Sequence, residues 1–360
     1  MSYAIAAAGT GGHIYPALAV VEEMITRGVA RADISFIGAD RLEATVIPEA
    51  GHDLISVEMR GLRRSLSISN LSLPFVVRRA ARTIAAELER RQVRSVLVMG
   101  GYITIPSVIA ARRSGVPYVV HEQNGRPGLA NRLAARGAAS VLVAFPEAAS
   151  KLKGATVVGN PLRRSLIDLD RAARRESARA RYDLEATGLV VGVMGGSQGA
   201  AAINGAVSRY AERSNRPALV HLVGPSHGDA LLRRASGASV PWRIVPFEKS
   251  MEDFYAACDL VVCRSGASTV SELATTATPS VLVPLEAVAQ QNNASYLVDC
   301  GAAVVVRQQD IDTLGDTIDE LLADPRRLAA MGDAALRASR PRAAAAVADA
   351  LIGAANGGPG

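Results

Sequence analysis

His13 stands directly after the glycine-rich stretch Gly9 to Gly12 and just before an apolar helical pattern. Histidine titrates near neutrality, so in this position it can take a proton from an incoming hydroxyl as a general base, or else cap the helix. A second constellation, CRSGASTVSELA at Cys263 to Ala274, gathers Ser265, Gly266, Ser268, Thr269, Ser271 and Glu272 after another apolar run. Small hydroxyls and the free N–H groups of a helix start suit phosphate oxygens, and Glu272 about one turn on can accept from both hydroxyls of a ribose. A capping serine with glutamate at the third helical position is the alternative. The third, HEQNG at His121 to Gly125, ends an apolar run with polar and turn residues only, a composition that suits the lining of a cleft better than packing.

Two glycine loops about half a chain apart must position these groups: GTGGH at Gly9 to His13 and GGSQGA at Gly195 to Ala200. Each follows a short apolar run, YAIAAA and LVVGVM, of the length of a buried parallel strand, and each opens a helical pattern. Glycine permits the sharp turn and the close approach of backbone to ligand. Neither loop is a Walker A or a GxGxxG fingerprint, which weakens the usual mononucleotide and dinucleotide readings. Further strand candidates at 34–38, 95–100, 118–122, 140–145 and 156–159, then at 218–224, 242–247, 260–266, 280–285 and 302–306, alternate with helical stretches. That alternation predicts an α/β protein of two Rossmann-like, doubly wound parallel-sheet domains facing a central cleft, with ligands at the carboxyl ends of the strands. The expected domains are residues 1–162 and 163–340, with 341–360 forming a C-terminal helix that packs back on the first domain and ends in a frayed tail.

With 360 residues, 49% apolar content and a mean hydropathy of +0.17, the chain reads as globular, and no apolar segment approaches the roughly 18 residues of a membrane helix. The start of the chain has no basic region of the secretory kind, so the expected compartment is the cytoplasm. Cys258, Cys263 and Cys300 lack metal spacing and are expected to be buried thiols; no metal site and no cofactor is foreseen. Of the net charge of +6, the stretch from Arg60 to Arg94 carries nine arginines against two acids, a local +7. Within it Leu66, Ile68, Leu71, Leu73, Phe75, Val76 and Val77 form the apolar part of RRSLSISNLSLPFVVRR, ending at Arg78 and Arg79. Such a pattern fits a surface resting on anionic headgroups, or a core helix with a solvated basic face. Only 4% of residues are aromatic and no nucleic-acid motif is present, so no nucleic-acid partner is expected.

Taken together, GTGGHIYPALAV, MGGYITIP, HEQNGRPGLANR, VVGNPLR, MGGSQGA, PFEKSMEDFYAACDLVVCRSGASTVSELA and QNNA resemble the MurG family across nearly the whole chain. These are bacterial glycosyltransferases of the B type that move N-acetylglucosamine from UDP-N-acetylglucosamine to lipid I, with inversion at C1, to give lipid II for peptidoglycan. The resemblance implies a membrane-facing acceptor domain followed by a donor domain. It places Thr10, Gly11 and Gly12 beside the donor sugar and diphosphate, with Asn124 hydrogen-bonding in the same donor cleft, and Arg163 and Ser197 on the diphosphate. Phe247 and the backbone of Glu248 would meet the uracil; Ala267, Ser268, Thr269, Val270, Ser271 and Glu272 would hold ribose and phosphates, and Gln290 the sugar hydroxyls. Tyr102, His121 and Glu122 fall on the acceptor side, with His13 as the candidate base. One position departs from the pattern: Ala289 stands where many members carry His or Gln. The implied partners are UDP-N-acetylglucosamine, lipid I, an anionic membrane surface and other cell-wall synthesis proteins. The implied location is peripheral, on the cytoplasmic face of the plasma membrane. A transferase with another lipid or small-molecule acceptor, or a non-catalytic UDP-sugar-binding scaffold, would share much of this pattern.

Overall fold

Short aliphatic runs, apolar on both faces, build two all-parallel sheets in a computed structural model that describes residues 1–59, 73–196, 199–224, 228–285 and 290–357. The chain divides into two compact units, Met1–Arg163 with Pro341–Gly360, and Arg164–Arg340.

The first unit contains β1 (Ser2–Ala6), α1 (Gly11–Thr26), β2 (Ile34–Gly38), α2 (Leu42–Glu49), β3 (Asp53–Ser56), α3 (Leu73–Arg90) and β4 (Val93–Val98). It continues with α4 (Thr104–Arg113), β5 (Tyr118–Glu122), α5 (Leu129–Ala134), β6 (Ser140–Val143), α6 (Pro146–Ala149) and β7 (Ala155–Val157). Its strand order is β3-β2-β1-β4-β5-β6-β7, so the winding reverses between β1 and β4. Loops leaving those two strands diverge, and a crevice opens at their carboxyl ends. Along β1 the period of two sends Tyr3, Ile5 and Ala7 into the core under α1, and Ala4, Ala6 and Ala8 into the core on the opposite face. Helix α1 answers with Ile14, Ala17, Val20, Val21 and Met24, a stripe of helical period.

The second unit contains α7 (Arg164–Ile167), α8 (Arg171–Arg181), β8 (Val190–Met194), α9 (Ala201–Tyr210), β9 (Ala218–Leu222), α10 (Gly228–Ala235), β10 (Trp242–Val245) and α11 (Met251–Ala257). Then follow β11 (Leu260–Cys263), α12 (Ala267–Thr275), β12 (Ser280–Leu282), α13 (Gln291–Val298), β13 (Ala303–Val305), α14 (Leu314–Leu322) and α15 (Pro325–Ala338). The order β10-β9-β8-β11-β12-β13 reverses between β8 and β11. Gly192 lets α11 close onto β8: a Cβ there would lie 2.6 Å from both Cys258 Sγ and the Phe254 ring. Helix α8 looks like a solvated arginine helix, yet Arg179 is fully buried and donates to the Ala257 carbonyl (3.2 Å), the Ala186 carbonyl (2.8 Å) and Asp259 Oδ2 (3.0 Å).

The last helix, α16 (Ala343–Ala355), belongs to the first unit, where Val347, Ala348 and Leu351 join the α1 core and the Leu351 carbonyl accepts from Ser95 Oγ at 2.8 Å. Strand β3 was not foreseen. It lies at the sheet edge with a single buried residue, Ile55, so DLIS has no apolar run to announce it. Cys258 and Cys263 are buried free thiols as expected, but Cys300 is exposed.

Candidate active site

Both glycine loops leave the central strands at which the winding reverses, β1 and β8. In the first unit Gly9 has φ of +101° and lies against the Tyr102 ring, which a Cβ would approach to 3.3 Å. Its N–H donates to Glu43 Oε2 at 3.0 Å. Thr10 is the N-cap of α1, but its hydroxyl pairs with His13 Nδ1 at 3.2 Å instead of capping the helix. Gly11 and Gly12 follow in the first helical turn, which no side chain caps, an arrangement receptive to an anion. The His13 ring lies over the turn after β4, where a Cβ on Gly100 would come within 3.0 Å of it. Gly100 and Gly101 have φ of +100° and +81°, so glycine meets both needs, the turn and the space. Burial lowers the His13 pKa from its usual 6.5, against a backbone hydrogen bond to Ala8 and the Glu43 charge, which raise it. The ring is therefore a neutral base at pH 7, with Nδ1 engaged on its own loop.

The residues expected on the acceptor side are bonded into the scaffold, Tyr102 partly exposed and His121 and Glu122 buried. Tyr102 donates its hydroxyl to Glu43 and carries the Arg41 guanidinium over its ring at 5.0 Å. His121, Glu122 and Gln123 are buried, not lining, and of HEQNG only Asn124 is partly exposed. His121 Nε2 pairs with the Gly159 carbonyl at 2.9 Å and Nδ1 with Gln123 at 3.1 Å. Glu122 accepts from the Asn124 N–H (2.9 Å) and Nδ2 (3.2 Å), the Gly128 N–H (3.1 Å) and Asn131 Nδ2 (2.9 Å). A buried carboxylate thus folds the loop, because backbone N–H groups denied water need an acceptor.

Burial brings His121 down to about 4 and, in the second unit, His221 to about 3. An unfolded chain protonates both near pH 6.5 while the folded chain keeps them neutral, so this contribution to stability is full above pH 6.5 and declines as pH falls. At pH 5 the expected loss is about 2 kcal/mol per histidine. Urea denaturation at pH 7.5 and 5.0 checks it; equal midpoints contradict it.

Of the basic apolar stretch, Leu66, Ile68 and Leu71 lie outside the described residues. Leu73, Phe75, Val76, Arg78 and Arg79 form the start of α3. Phe75 is 73% exposed and both arginines are exposed, whereas Val76 packs against the core and is not free to meet a membrane.

In the second unit Ser197 lies outside the described residues, but its flanks are fixed. A Cβ on Gly195 would fall 2.3 Å from the Ala200 nitrogen, and Gly196 and Gly199 have φ of +85° and +72°. Gly266 is the N-cap of α12, so no serine caps this helix. Ser268 and Thr269 are partly exposed in its first turn. Ser271 Oγ donates back to the Ala267 carbonyl at 3.0 Å. Val270 is fully buried and its N–H is bonded to Gly266, so it offers a ligand nothing polar; Ala267 is buried as well. Glu272 Oε2 accepts from the Tyr255 hydroxyl at 2.8 Å, which orients the carboxylate. Phe247, 54% exposed, follows β10, and the next residue is its anchor: Glu248 accepts from Arg181, the Tyr182 hydroxyl and the Ser250 N–H, each at 2.7 Å. Gln290 Oε1 accepts from the Leu285 N–H at 3.0 Å. Arg163 groups with the first unit, not the second, its guanidinium 5.9 Å from the Tyr15 ring centre. Among the described residues no cluster of His, Cys, Asp or Glu is fit to hold a metal, and no helix is long and apolar enough to cross a membrane.

Two doubly wound domains with glycine loops at their reversal points, together with two family profiles, define a glycosyltransferase of B-type fold. The N-terminal domain profile of glycosyltransferase family 28 matches residues 3–143 and its C-terminal domain profile residues 190–347. The chain is 40% identical to the UDP-N-acetylglucosamine–N-acetylmuramyl-(pentapeptide) pyrophosphoryl-undecaprenol N-acetylglucosamine transferase of a Nocardioides species, over 93% of each chain. It is 41% identical to the protein of the same name from Burkholderia multivorans, over 94% of this chain and 92% of that one. The crystal structure of Acinetobacter baumannii MurG superposes with a TM-score of 0.77 at 25% identity, covering 98% of this chain and 99% of that one. The chain belongs to this N-acetylglucosamine transferase family, MurG.

Proposed function

We infer that the chain is a hexosyltransferase that moves N-acetylglucosamine from UDP-N-acetylglucosamine to the muramyl 4-hydroxyl of lipid I, forming lipid II. Identity of about 40% along more than nine-tenths of the chain carries the reading. In the reaction the acceptor oxygen forms a bond to C1 of the donor sugar while the bond from C1 to the UDP oxygen breaks and its electron pair leaves with UDP. The acceptor's proton passes to His13 Nε2, the nitrogen not engaged with Thr10, and the lowered pKa keeps that lone pair available. Negative charge developing on UDP needs N–H, hydroxyl and cationic partners, the role that the family pattern gives to Thr10, Gly11, Gly12, Ser197 and Arg163. Phe247 lies against the uracil beside the Glu248 backbone. Ser268, Thr269 and Ser271 serve phosphate, Glu272 the ribose hydroxyls, and Gln290 and Asn124 the sugar.

The acceptor is lipid-linked, so the enzyme must reach a bilayer. Phe75, Arg78 and Arg79 would rest on anionic headgroups at the cytoplasmic face as a peripheral contact. The decisive experiment is transfer of radiolabelled N-acetylglucosamine from UDP-N-acetylglucosamine to a short-chain lipid I analogue; UDP binding without product would overturn the reaction and leave the fold. Glu272→Gln is expected to weaken UDP binding roughly tenfold, because a charged acceptor for the ribose hydroxyls becomes neutral. Calorimetry on UDP measures this, and unchanged affinity removes Glu272 from the ribose.

A further inference from the structure

Glu43 belongs to no motif and sits at the second position of α2, where LEATVIPE reads as an ordinary surface turn of helix. Its side chain is completely buried. Besides its own backbone N–H, the carboxylate takes three donors from other loops: Oε2 accepts from the Gly9 N–H at 3.0 Å, while Oε1 accepts from the Ala39 N–H at 3.1 Å and from the Tyr102 hydroxyl. The three donors lie on the three loops that leave β1, β2 and β4, neighbouring strands on either side of the reversal point. The surroundings are shaped for this side chain. A Cβ on Gly38 would lie 2.7 Å from Glu43 Cγ, so only glycine leaves room for it. Gly9 stacks on the Tyr102 ring, and the preceding residues of the same turn, Gly100 and Gly101, lie under the His13 ring. Loop 9–13 is therefore pinned at its first residue by Glu43 and at its last by contact with the turn that Glu43 also holds.

We propose that Glu43 is a positioning residue for sugar transfer: its carboxylate fixes loop 9–13 on the 100–102 turn and so holds the His13 ring in the orientation that presents Nε2 to the acceptor hydroxyl. The proposal rests on the reading of His13 as the base. An ionised carboxylate suits the task because it is an acceptor only and faces three donors; a glutamine would turn an NH2 group toward one of them. Burial pushes the Glu43 carboxyl up, but the hydrogen bonds from Tyr102, Gly9 and Ala39 outweigh it and hold the group below its usual range. A base misplaced by a fraction of an ångström loses rate while distant binding contacts survive.

The test compares Glu43→Gln, Tyr102→Phe and His13→Ala in lipid I analogue transfer, with UDP affinity measured alongside. Glu43→Gln is expected to lower kcat at least tenfold with the UDP Kd within twofold, and Tyr102→Phe, which removes one donor of three, to lower kcat less. The charged and titratable groups around the two loops are Asp40, Arg41, Glu43 and Tyr102, Tyr15 against Gly11 with Arg163 over its ring, and Glu122 behind Asn131. Only Glu43 changes charge, and its charge raises the His13 pKa, so the acid limb of kcat/KM moves to lower pH in Glu43→Gln. An inactive His13→Ala beside a Glu43→Gln enzyme with kcat within twofold of wild type overturns the positioning role alone. A fully active His13→Ala overturns the base reading. UDP affinity falling in step with kcat and an unmoved acid limb reduce Glu43 to a folding residue and overturn the proposal. Should Glu43→Gln not fold, Tyr102→Phe decides: an unchanged kcat in that folded variant is equally fatal.

Discussion

His13→Ala is expected to lower kcat for sugar transfer by about 10²–10⁴, the range for loss of a positioned general base, with UDP affinity within twofold of wild type. Among the described residues the ring bonds only to its own loop and the Ala8 backbone, so its removal leaves the strands of the first unit as they are. The pH profile is the sharper measurement. A histidine at its ordinary value would switch off kcat/KM below pH 6.5. Burial lowers this one, so the acid limb of wild-type kcat/KM is displaced to the acid side of pH 6.5, as the ring gains its proton. His13→Gln, which keeps a polar group beside Thr10 but cannot titrate, should lose both the rate and that acid limb. An acid limb that persists in His13→Gln assigns the base to another group.

The parts legible in the sequence were those whose physical cause is local. A parallel strand buried on both faces must be apolar throughout, so IIe-, Val- and Ala-rich runs such as those of β1, β5 and β11 announce themselves. Edge strand β3 buries one residue and does not. The glycine loops were legible because their φ angles and close approaches exclude other residues. What stayed hidden depends on partners remote in sequence. Glu43 finds Gly9 and Tyr102 at separations of 34 and 59 residues, and nothing in LEATVIPE sets it apart from a solvated acid. Arg179 sits in a run of arginines yet is the one fully buried, because Asp259, 80 residues on, waits for it. HEQNG divides for the same reason: polar residues in a row suggest a cleft wall, whereas His121, Glu122 and Gln123 are buried in the internal hydrogen-bonding frame of the loop and only Asn124 is partly exposed. Periodicity reports which face is apolar; it carries no information about which polar group satisfies another.

Glu122→Ala should therefore cost the first unit about 3 kcal/mol and most of the transfer activity. The substitution strips the acceptor from two backbone N–H groups and from the amides of Asn124 and Asn131. Each buried donor left without a partner costs about 1–3 kcal/mol, but the Asn124 and Gly128 groups lie near the surface, where water can replace the carboxylate, and removing a buried charge returns some desolvation energy. The buried Asn131 amide, left with only the His121 carbonyl at 3.3 Å for its two N–H groups, then dominates the sum. It also carries the damage to the reacting centre, because a Cβ on Gly100 would lie 3.4 Å from Asn131 Nδ2 and 3.0 Å from the His13 ring. The chain offers a clean readout. Its single tryptophan, Trp242, is buried in the second unit, so its fluorescence reports that unit while far-ultraviolet circular dichroism reports both. In urea the dichroism midpoint should fall while the Trp242 transition stays in place, and Glu122→Gln, which keeps the volume and one acceptor, should lose less than half as much. Equal shifts in both signals, or none in either, would show that the carboxylate does not hold this loop.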